Sequence, residues 1–352
     1  MIERTNRRGK DRVKIAVDLG YGYTKAVNEM GQKIIFPSVV ARKQGSNSLG
    51  NALGEGLIEY VVGLKEGGLE EEFLVGEAAV SSVGAVRAWE EDPSQHKNTK
   101  VLLSAAARLL NPLGGTLDIA VGLPIMTYGS QKTTLQEFLR RFEGEIRIAD
   151  GEYRRIRFNN VWVFPQAGGA FYYALLGPNG NLKDRNLLTG SVGVLDVGYR
   201  TTDYLLLENT SRGLIVREDM SGSIDLGYNW VYQEVSKQLE GRIGQALDIQ
   251  RVENILERRD GVVMFRGKPI DLTVDAEIAA GDLAQALMGK LKRIWNEELN
   301  TLTSFIVAGG GGQRLFPHIQ KVNEGARLVS DPIFANAFGY LASWRIFESG
   351  RR

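Results

Sequence analysis

Residues 13–17 form a short apolar run of strand type that stops at Asp18 and a glycine-rich turn, and 24–27 and 33–40 continue it as further strands. Glycine recurs often between Arg42 and Gly68, which marks a smaller or more variable insertion there. Residues 98–110 read as a helix, 117–121 as a strand ending at Gly122-Leu123-Pro124, and Ser130 as the cap of a helix running to about Phe142. A hairpin over 145–163 follows. Pro165-Gln166-Ala167-Gly168-Gly169-Ala170 then leads into the apolar stretch 171–176, which has the character of a buried helix. The turn-rich stretch 177–189 links it to a second unit.

That unit repeats the opening. Residues 192–195 run into Asp196 and a turn, and 204–207 return as a strand. Side by side, the turns read Asp18-Leu19-Gly20-Tyr21-Gly22-Tyr23-Thr24-Lys25 and Asp196-Val197-Gly198-Tyr199-Arg200-Thr201-Thr202-Asp203, with aspartate, glycine, tyrosine and threonine at matching offsets. One such hairpin is ordinary, but a matched pair implies a duplicated domain. Residues 229–300 read mostly as helices with a hairpin at 261–272, and the apolar strand 304–307 meets Ala308-Gly309-Gly310-Gly311-Gly312, with a helix starting near 313–315. The pattern predicts an α/β protein with a basic arm over 1–12 and two domains. The first spans 13–185 with an insertion near 41–97; the second spans 186–352 with an insertion near 229–300 and its last helix near the hinge.

Composition agrees with this division. A chain of 352 residues, 43% hydrophobic and 24% charged, buries a sizeable core, and its length favours two domains. Lys and Arg total 43 against 42 Asp and Glu, so direct nucleic-acid binding and attachment to an anionic membrane are not expected. Arg4, Arg7, Arg8, Lys10 and Arg12 make the start a solvated basic arm. Without a signal segment or a membrane-length apolar run, the expected location is cytoplasmic. With no cysteine, disulfides and thiolate chemistry are excluded, and His96 and His318 leave little for a zinc site.

The two turns suit phosphate. Its oxygens need backbone N–H donors at close range, and Gly20, Gly22 and Gly198 let the chain come near enough to supply them. Lys25 adds a point charge, and Thr24 and Thr202 add hydroxyl donors. Asp18 and Asp196, each at a strand end, suit a hydrated magnesium ion, which takes oxygen ligands and keeps most of its waters. Gly309 to Gly312 allow backbone to lie flat against an adenine or ribose. The plainer alternatives are a common hairpin connection at each Asp-x-Gly and a flexible loop at the glycine run. Other nucleotide templates fit less well: the P-loop pattern is absent, and Lys25 stands where a dinucleotide fingerprint needs its third small residue.

In order and spacing these segments resemble the actin, sugar kinase and chaperone ATPase superfamily, and within it the prokaryotic actin-like proteins of the plasmid-segregating ParM kind and the archaeal-type actin-like proteins. Residues 18–25 are similar to the first phosphate loop, 165–170 to the first connecting helix, 195–203 to the second phosphate loop, 307–312 to the adenosine motif and 331–339 to the second connecting helix. The resemblance implies two ribonuclease-H-like (actin-fold) domains flanking a nucleotide cleft, each with a smaller inserted subdomain, and both connecting helices at the hinge. It implies ATP as ligand, with GTP left open, and magnesium held by Asp18 and Asp196 through water. Gln166 would orient the attacking water with help from Asp196 and Asp18. Tyr21, Tyr23, Tyr199, Arg200 and Thr201 would join the glycines, threonines and Lys25 around the nucleotide, with Gly222 and Ser223 at the ribose. The second loop carries its threonines later than the best-known plasmid actins do, which is closer to the archaeal type.

The expected activity is ATP hydrolysis coupled to assembly and disassembly of a head-to-tail filament. Its implied cargo is plasmid DNA, gripped through a separate DNA-binding adaptor protein. A monomeric phosphotransferase or phosphatase of the same fold is the alternative from another class. A membrane-linked cell-shape actin is a third reading, although 341–347 spans one heptad and reads better as the end of a packed helix.

Overall fold

The computed structural model describes residues 12–43, 59–80, 82, 84–87, 97–177, 179–258 and 260–349. The basic arm before Arg12, His96 and residues 44–58 of the glycine-rich segment lie outside the described residues. Two sheets carry the fold. The first holds β1 (Lys14–Leu19), β2 (Tyr23–Asn28), β3 (Lys33–Pro37), β4 (Val39–Arg42), β5 (Glu59–Glu66), β6 (Leu69–Gly76), β7 (Val86–Arg87), β8 (Gly115–Leu123), β9 (Glu143–Ile148) and β10 (Arg154–Pro165). Their order is β3-β2-β1-β8-β10-β9-β5-β6-β4-β7. Central β1 and β8 are parallel and buried almost end to end, because both faces of the sheet are covered; their middles, Ile15 to Val17 and Ile119 to Val121, are therefore consecutive apolar residues rather than alternating ones. Strands of the first insertion extend this sheet through the β5–β9 pairing.

The second sheet holds β11 (Ser191–Val197), β12 (Thr202–Thr210), β13 (Gly213–Val216), β14 (Gly222–Ile224), β17 (Ser304–Ala308) and β18 (Ala326–Leu328), while β15 (Val262–Phe265) and β16 (Lys268–Asp271) form a separate hairpin. β11 repeats the pairing of β1: it is antiparallel to the strand that follows it and parallel to a later one, β17.

Three local expectations are corrected. Residues 33–40 are not one strand, because Ser38 breaks it, its N–H turned to Gly22 O (2.9 Å) and its hydroxyl to Gly20 O (2.6 Å). The helix expected to start at Ser130 starts at Ile125, directly after Pro124, whose fixed φ suits a helix entry; the Ser130 hydroxyl donates within that helix to Thr127 O (3.1 Å). The helix expected from 313–315 begins at Gly310, inside the glycine run.

The principal helices are α1 (Lys97–Leu110), α2 (Ile125–Arg141), α3 (Gly168–Leu175), α4 (Asn229–Ile243), α5 (Ile249–Arg258), α6 (Thr273–Trp295), α7 (Gly310–Val322) and α8 (Ala335–Ser349). α1 buries Val101, Leu102 and Leu103 in the core of the first sheet. α3 and α8 cross over. α3 leaves the first sheet but packs Ala170, Phe171 and Leu175 with Val192, Val194 and Ile306 of the second. α8 leaves the second sheet but packs Tyr340, Leu341 and Trp344 with Ala16, Val27 and Ala120 of the first. The segment 341–347 thus belongs to a packed helix, and among the described residues no helix is long and apolar enough to cross a membrane.

α3 and α8 meet at two glycines. A Cβ on Gly339 would lie 1.8 Å from Gly169 O, and one on Gly169 would lie 2.7 Å from the Asn336 Cα. Because the clash is with backbone, no side chain can yield to relieve it. Gly339→Ala is expected to destabilise the fold by at least about 2 kcal/mol, as overpacked cores do, read as a lower urea midpoint. A midpoint equal to wild type would show that the helices separate freely.

Candidate functional site

The matched hairpins face each other across a cleft. Its cavity of ≈ 450 Å³ is lined by both turns, Gln166, the start of α7 and Asn336 of α8. That volume lies within the roughly 300–1,000 Å³ of small-molecule sites.

One backbone geometry closes both turns: Gly20 N–H donates to Tyr23 O (3.2 Å), and Gly198 N–H to Thr201 O (2.9 Å). The recurring threonines hold these loops rather than facing the cleft. Thr24 Oγ1 shares a hydrogen bond with Ser38 Oγ (2.9 Å), Thr202 Oγ1 donates to Leu226 O (2.7 Å), and both threonines are fully buried. The segment after Leu226 also grips the second loop, with Tyr228 N–H on Gly198 O (3.0 Å) and Asn229 N–H on Tyr199 O (2.8 Å).

The floor is acidic. Lys25 Nζ lies 3.1 Å from Asp18 Oδ2, and Gln166 Nε2 donates to Asp18 Oδ1 (3.2 Å). Ala167 follows with φ 63, a left-handed conformation that costs a residue with a side chain on the order of 1 kcal/mol or more. That turn aims the Ala167 N–H at the Asp196 carboxylate. Asn336 Nδ2 donates to Asp196 Oδ2 (2.6 Å) while its Oδ1 accepts the Ala170 N–H (3.0 Å), so one side chain ties α8, α3 and the second hairpin. Burial, reinforced by the charge of Asp18, pushes Asp196 up to about 6 against the opposing pull of Asn336, Lys25 and Ala167. Opposite it in the ladder stands Asp203, at the register place that Lys25 takes opposite Asp18. Burial pushes Asp203 up to about 7, with the Ser223 hydroxyl opposing and Asp196 and Asp18 adding to the rise.

The rim joins the two halves. The Tyr199 ring covers Gly22, where a Cβ would lie 2.7 Å from it. Glu253 of α5 is buried and accepts the hydroxyls of Tyr23 (3.0 Å) and Tyr199 (2.9 Å), one from each hairpin. Arg200 lies over the Tyr21 ring at 4.9 Å and 3.5 Å from Asp225. Further along, Arg314 of α7 makes a forked pair with Glu257 and lies over Tyr228 at 5.0 Å, and Tyr232 donates to Glu257 (2.8 Å).

Gly309 adopts φ 84, and a Cβ there would lie 2.4 Å from Asp196 Oδ1, so only glycine brings the α7 N-terminus up to the carboxylates. That terminus carries backbone N–H groups without helical partners, an arrangement suited to anions.

Every residue expected at the cleft lines it except Thr24, Thr202, Gly222, Ser223 and Gly312. Gly222 packs on Tyr204 and Met126, Ser223 donates to Asp203, and Gly312 packs against Val307. Ser38, Tyr228, Tyr232, Glu253, Glu257 and Arg314 were not anticipated, while Asp203 and Asn336 fell within the segments likened to the second phosphate loop and the second connecting helix without being given a role. Asp203 was within reach, since it occupies the repeat position of Lys25; nothing local in 249–258 indicates that α5 overhangs the cleft.

The Asp203 environment has a pH signature. Its folded value of about 7 stands above the ordinary 3.8, so its contribution to stability is fully present below pH 3.8 and is lost as pH rises through about 7. Asp203→Asn removes the buried charge and keeps an acceptor for Ser223. It is expected to raise the Tm of the nucleotide-free protein more at pH 8 than at pH 5; an equal shift at both would place the titration elsewhere.

Two family models match the chain, that of the actin-like proteins N-terminal domain over residues 16–169 and that of the archaeal actin homologue MreB-like C-terminal domain over 194–321. An archaeal actin homolog of Thermoplasma volcanium is 26% identical over 336 residues, covering 93% of this chain and 97% of the relative. A 15-stranded ParM filament from Clostridium botulinum matches at TM-score 0.82 and 28% identity, covering 96% of this chain and 99% of that one. An archaeal actin homolog solved in complex with ADP shares the fold at TM-score 0.75 and 23% identity, over 95% and 99% of the two chains. With both halves matched in order and two sheets built on the same strand pairing, the chain belongs to the actin-like proteins.

Proposed function

We propose that this chain is an ATPase that binds Mg·ATP in the cleft and couples hydrolysis to assembly and disassembly of a head-to-tail filament. The observation that carries the enzymatic part is the pair of matched Asp-x-Gly turns facing each other with Gln166 set on Asp18 between them. The filament part rests on the Clostridium botulinum relative, whose structure is a filament. A net charge of +1 suits indirect attachment of plasmid DNA through a DNA-binding adaptor protein.

The donor set fits magnesium held through its waters. Among the described residues no three His, Asp or Glu side chains converge as a direct metal cage, while Asp18 and Asp196 are buried carboxylates lining the cleft. When bound, magnesium supplies charge neutralisation at the β- and γ-phosphates. The chain's own groups do the rest. Backbone N–H groups of the two turns and of the α7 start hold phosphate oxygens, and Lys25 brings a positive charge. Gln166 orients the attacking water, and Asp196, with its value near 6 and its carboxylate fixed by Asn336, is placed to receive a proton. Beyond the phosphates, Arg314 over Tyr228 offers a flat face to the base.

Asp196→Ala is expected to abolish phosphate release; an unchanged turnover would reject its role. Gln166→Ala is expected to slow release by about 10²-fold while nucleotide still binds, and loss of binding would make Gln166 structural. High-speed pelleting with magnesium and ATP, ADP or no nucleotide, read beside phosphate release in the same tubes, tests the coupling. Polymer that needs ATP and decays as phosphate accumulates supports the filament. Hydrolysis without sedimentable polymer across protein and salt concentrations moves the reading to a monomeric phosphotransferase or phosphatase.

A further inference from the structure

Among the described residues, three buried side-chain oxygens have no hydrogen-bond partner: those of Thr99, Ser104 and Tyr340. Thr99 and Ser104 belong to α1, within the first sheet's layer of helices. Tyr340 is different in place. It lies on α8 and is fully buried, with its ring stacked on Phe164 at 5.4 Å and an interplanar angle of 5°, so the direction of its hydroxyl is fixed.

That hydroxyl points to the end of β8. A Cβ on Gly122 would lie 2.1 Å from Tyr340 Oη and 3.1 Å from Gln166 Cγ, so the hydroxyl and the glutamine stem are neighbours, and the absence of a side chain at Gly122 is what admits the oxygen. The charges of Asp18, Asp196 and Asp203 are felt there too. Tyr340 stands four residues after Asn336, on the same face of α8. One helical turn therefore presents Asn336 to Asp196 and Tyr340 to Gln166, serving both proposed hydrolytic groups from the hinge helix.

A buried hydroxyl without a partner costs stability that a phenylalanine in the same place avoids. We propose that Tyr340 is a positioning residue for hydrolysis: its hydroxyl donates to the Gln166 carboxamide oxygen while the amide nitrogen stays on Asp18. The carboxamide then cannot flip, and its oxygen keeps one lone pair for the attacking water. The adjustment is confined to the side chain, because the Gln166 backbone is fixed by its N–H on Leu123 O (2.8 Å). This rests on the hydrolytic reading above, and it makes water attack sensitive to where α8 sits over the first sheet.

Tyr340→Phe, which removes one oxygen, tests it by single-turnover phosphate release, affinity for a fluorescent ATP analogue and Tm on the same preparations. The expected result is release slowed about tenfold or more, affinity within about twofold of wild type and Tm equal to or above it. The double variant Gln166→Ala/Tyr340→Phe is expected to be no slower than Gln166→Ala alone, because both changes disable one unit. Release at the wild-type rate overturns the proposal, as does a double variant slowed by the product of the single effects. A lower Tm with weaker binding also overturns it, by making Tyr340 a packing residue. Wild-type protein that releases no phosphate overturns the hydrolytic reading itself, before any variant is compared.

Discussion

Where α3 and α8 cross, Gly169 and Gly339 bring backbone against backbone, with the Tyr340 ring packed beside them. Each helix belongs by chain order to one sheet and by packing to the other, so the two sheets cannot move independently of this crossing. The cleft chemistry hangs from the same place. Gln166 and Ala167 immediately precede α3, and Asn336 lies on the first turn of α8 with one hydrogen bond on Asp196 and one on Ala170. Had either glycine carried a side chain, the helices would stand apart and Asn336 would lose one partner or the other. Fold and site are therefore constrained by one steric fact, and a rotation of the sheets about the crossing changes the geometry at Asp196 and Gln166 together.

Electrostatics at the floor oppose an anionic ligand arriving alone. Asp18, Asp196 and Asp203 are buried within reach of one another's charge, and Lys25 pairs with Asp18. Burial first, and the neighbouring carboxylates second, raise Asp196 and Asp203, so the floor disfavours further negative charge before any phosphate is present. A triphosphate needs more positive charge than Lys25 and the helix start provide, which is why the proposed ligand is the magnesium complex rather than free ATP.

The central strands and the repeated turns were legible because burial on both faces writes itself as an uninterrupted apolar run, and because a duplicated turn repeats its residues at fixed offsets. The same repetition misled at Thr24 and Thr202. Recurrence showed that both matter, but side chains alternate along a strand, and these two fall on the inward side, where they fasten the loops to Ser38 and Leu226. Ser130 is a good capping residue that was outranked by Pro124, six residues earlier. Glu253, Glu257 and Arg314 show a different limit. Each sits on an ordinary amphipathic helix, and only the tertiary placement of α5 against α7 turns their polar faces towards the cleft.

The rim clasp shows how such a long-range contact bears on motion. Glu253 comes from the second half of the chain, as does Tyr199, whereas Tyr23 comes from the first. Opening the cleft must break the Tyr23–Glu253 hydrogen bond and lift the Tyr199 ring from Gly22, yet it leaves Tyr199–Glu253 intact because both partners move together. A hydrogen bond to a buried carboxylate contributes about 1.5–3 kcal/mol. With the ring contact added, that is comparable to the free-energy gap of a few kcal/mol that separates conformers exchanging at low population. Separating the halves therefore costs the one clasp bond that spans them while the bond within the second half stays, so two tyrosines and a glutamate link the rim of the cleft to the spacing of the two hairpins.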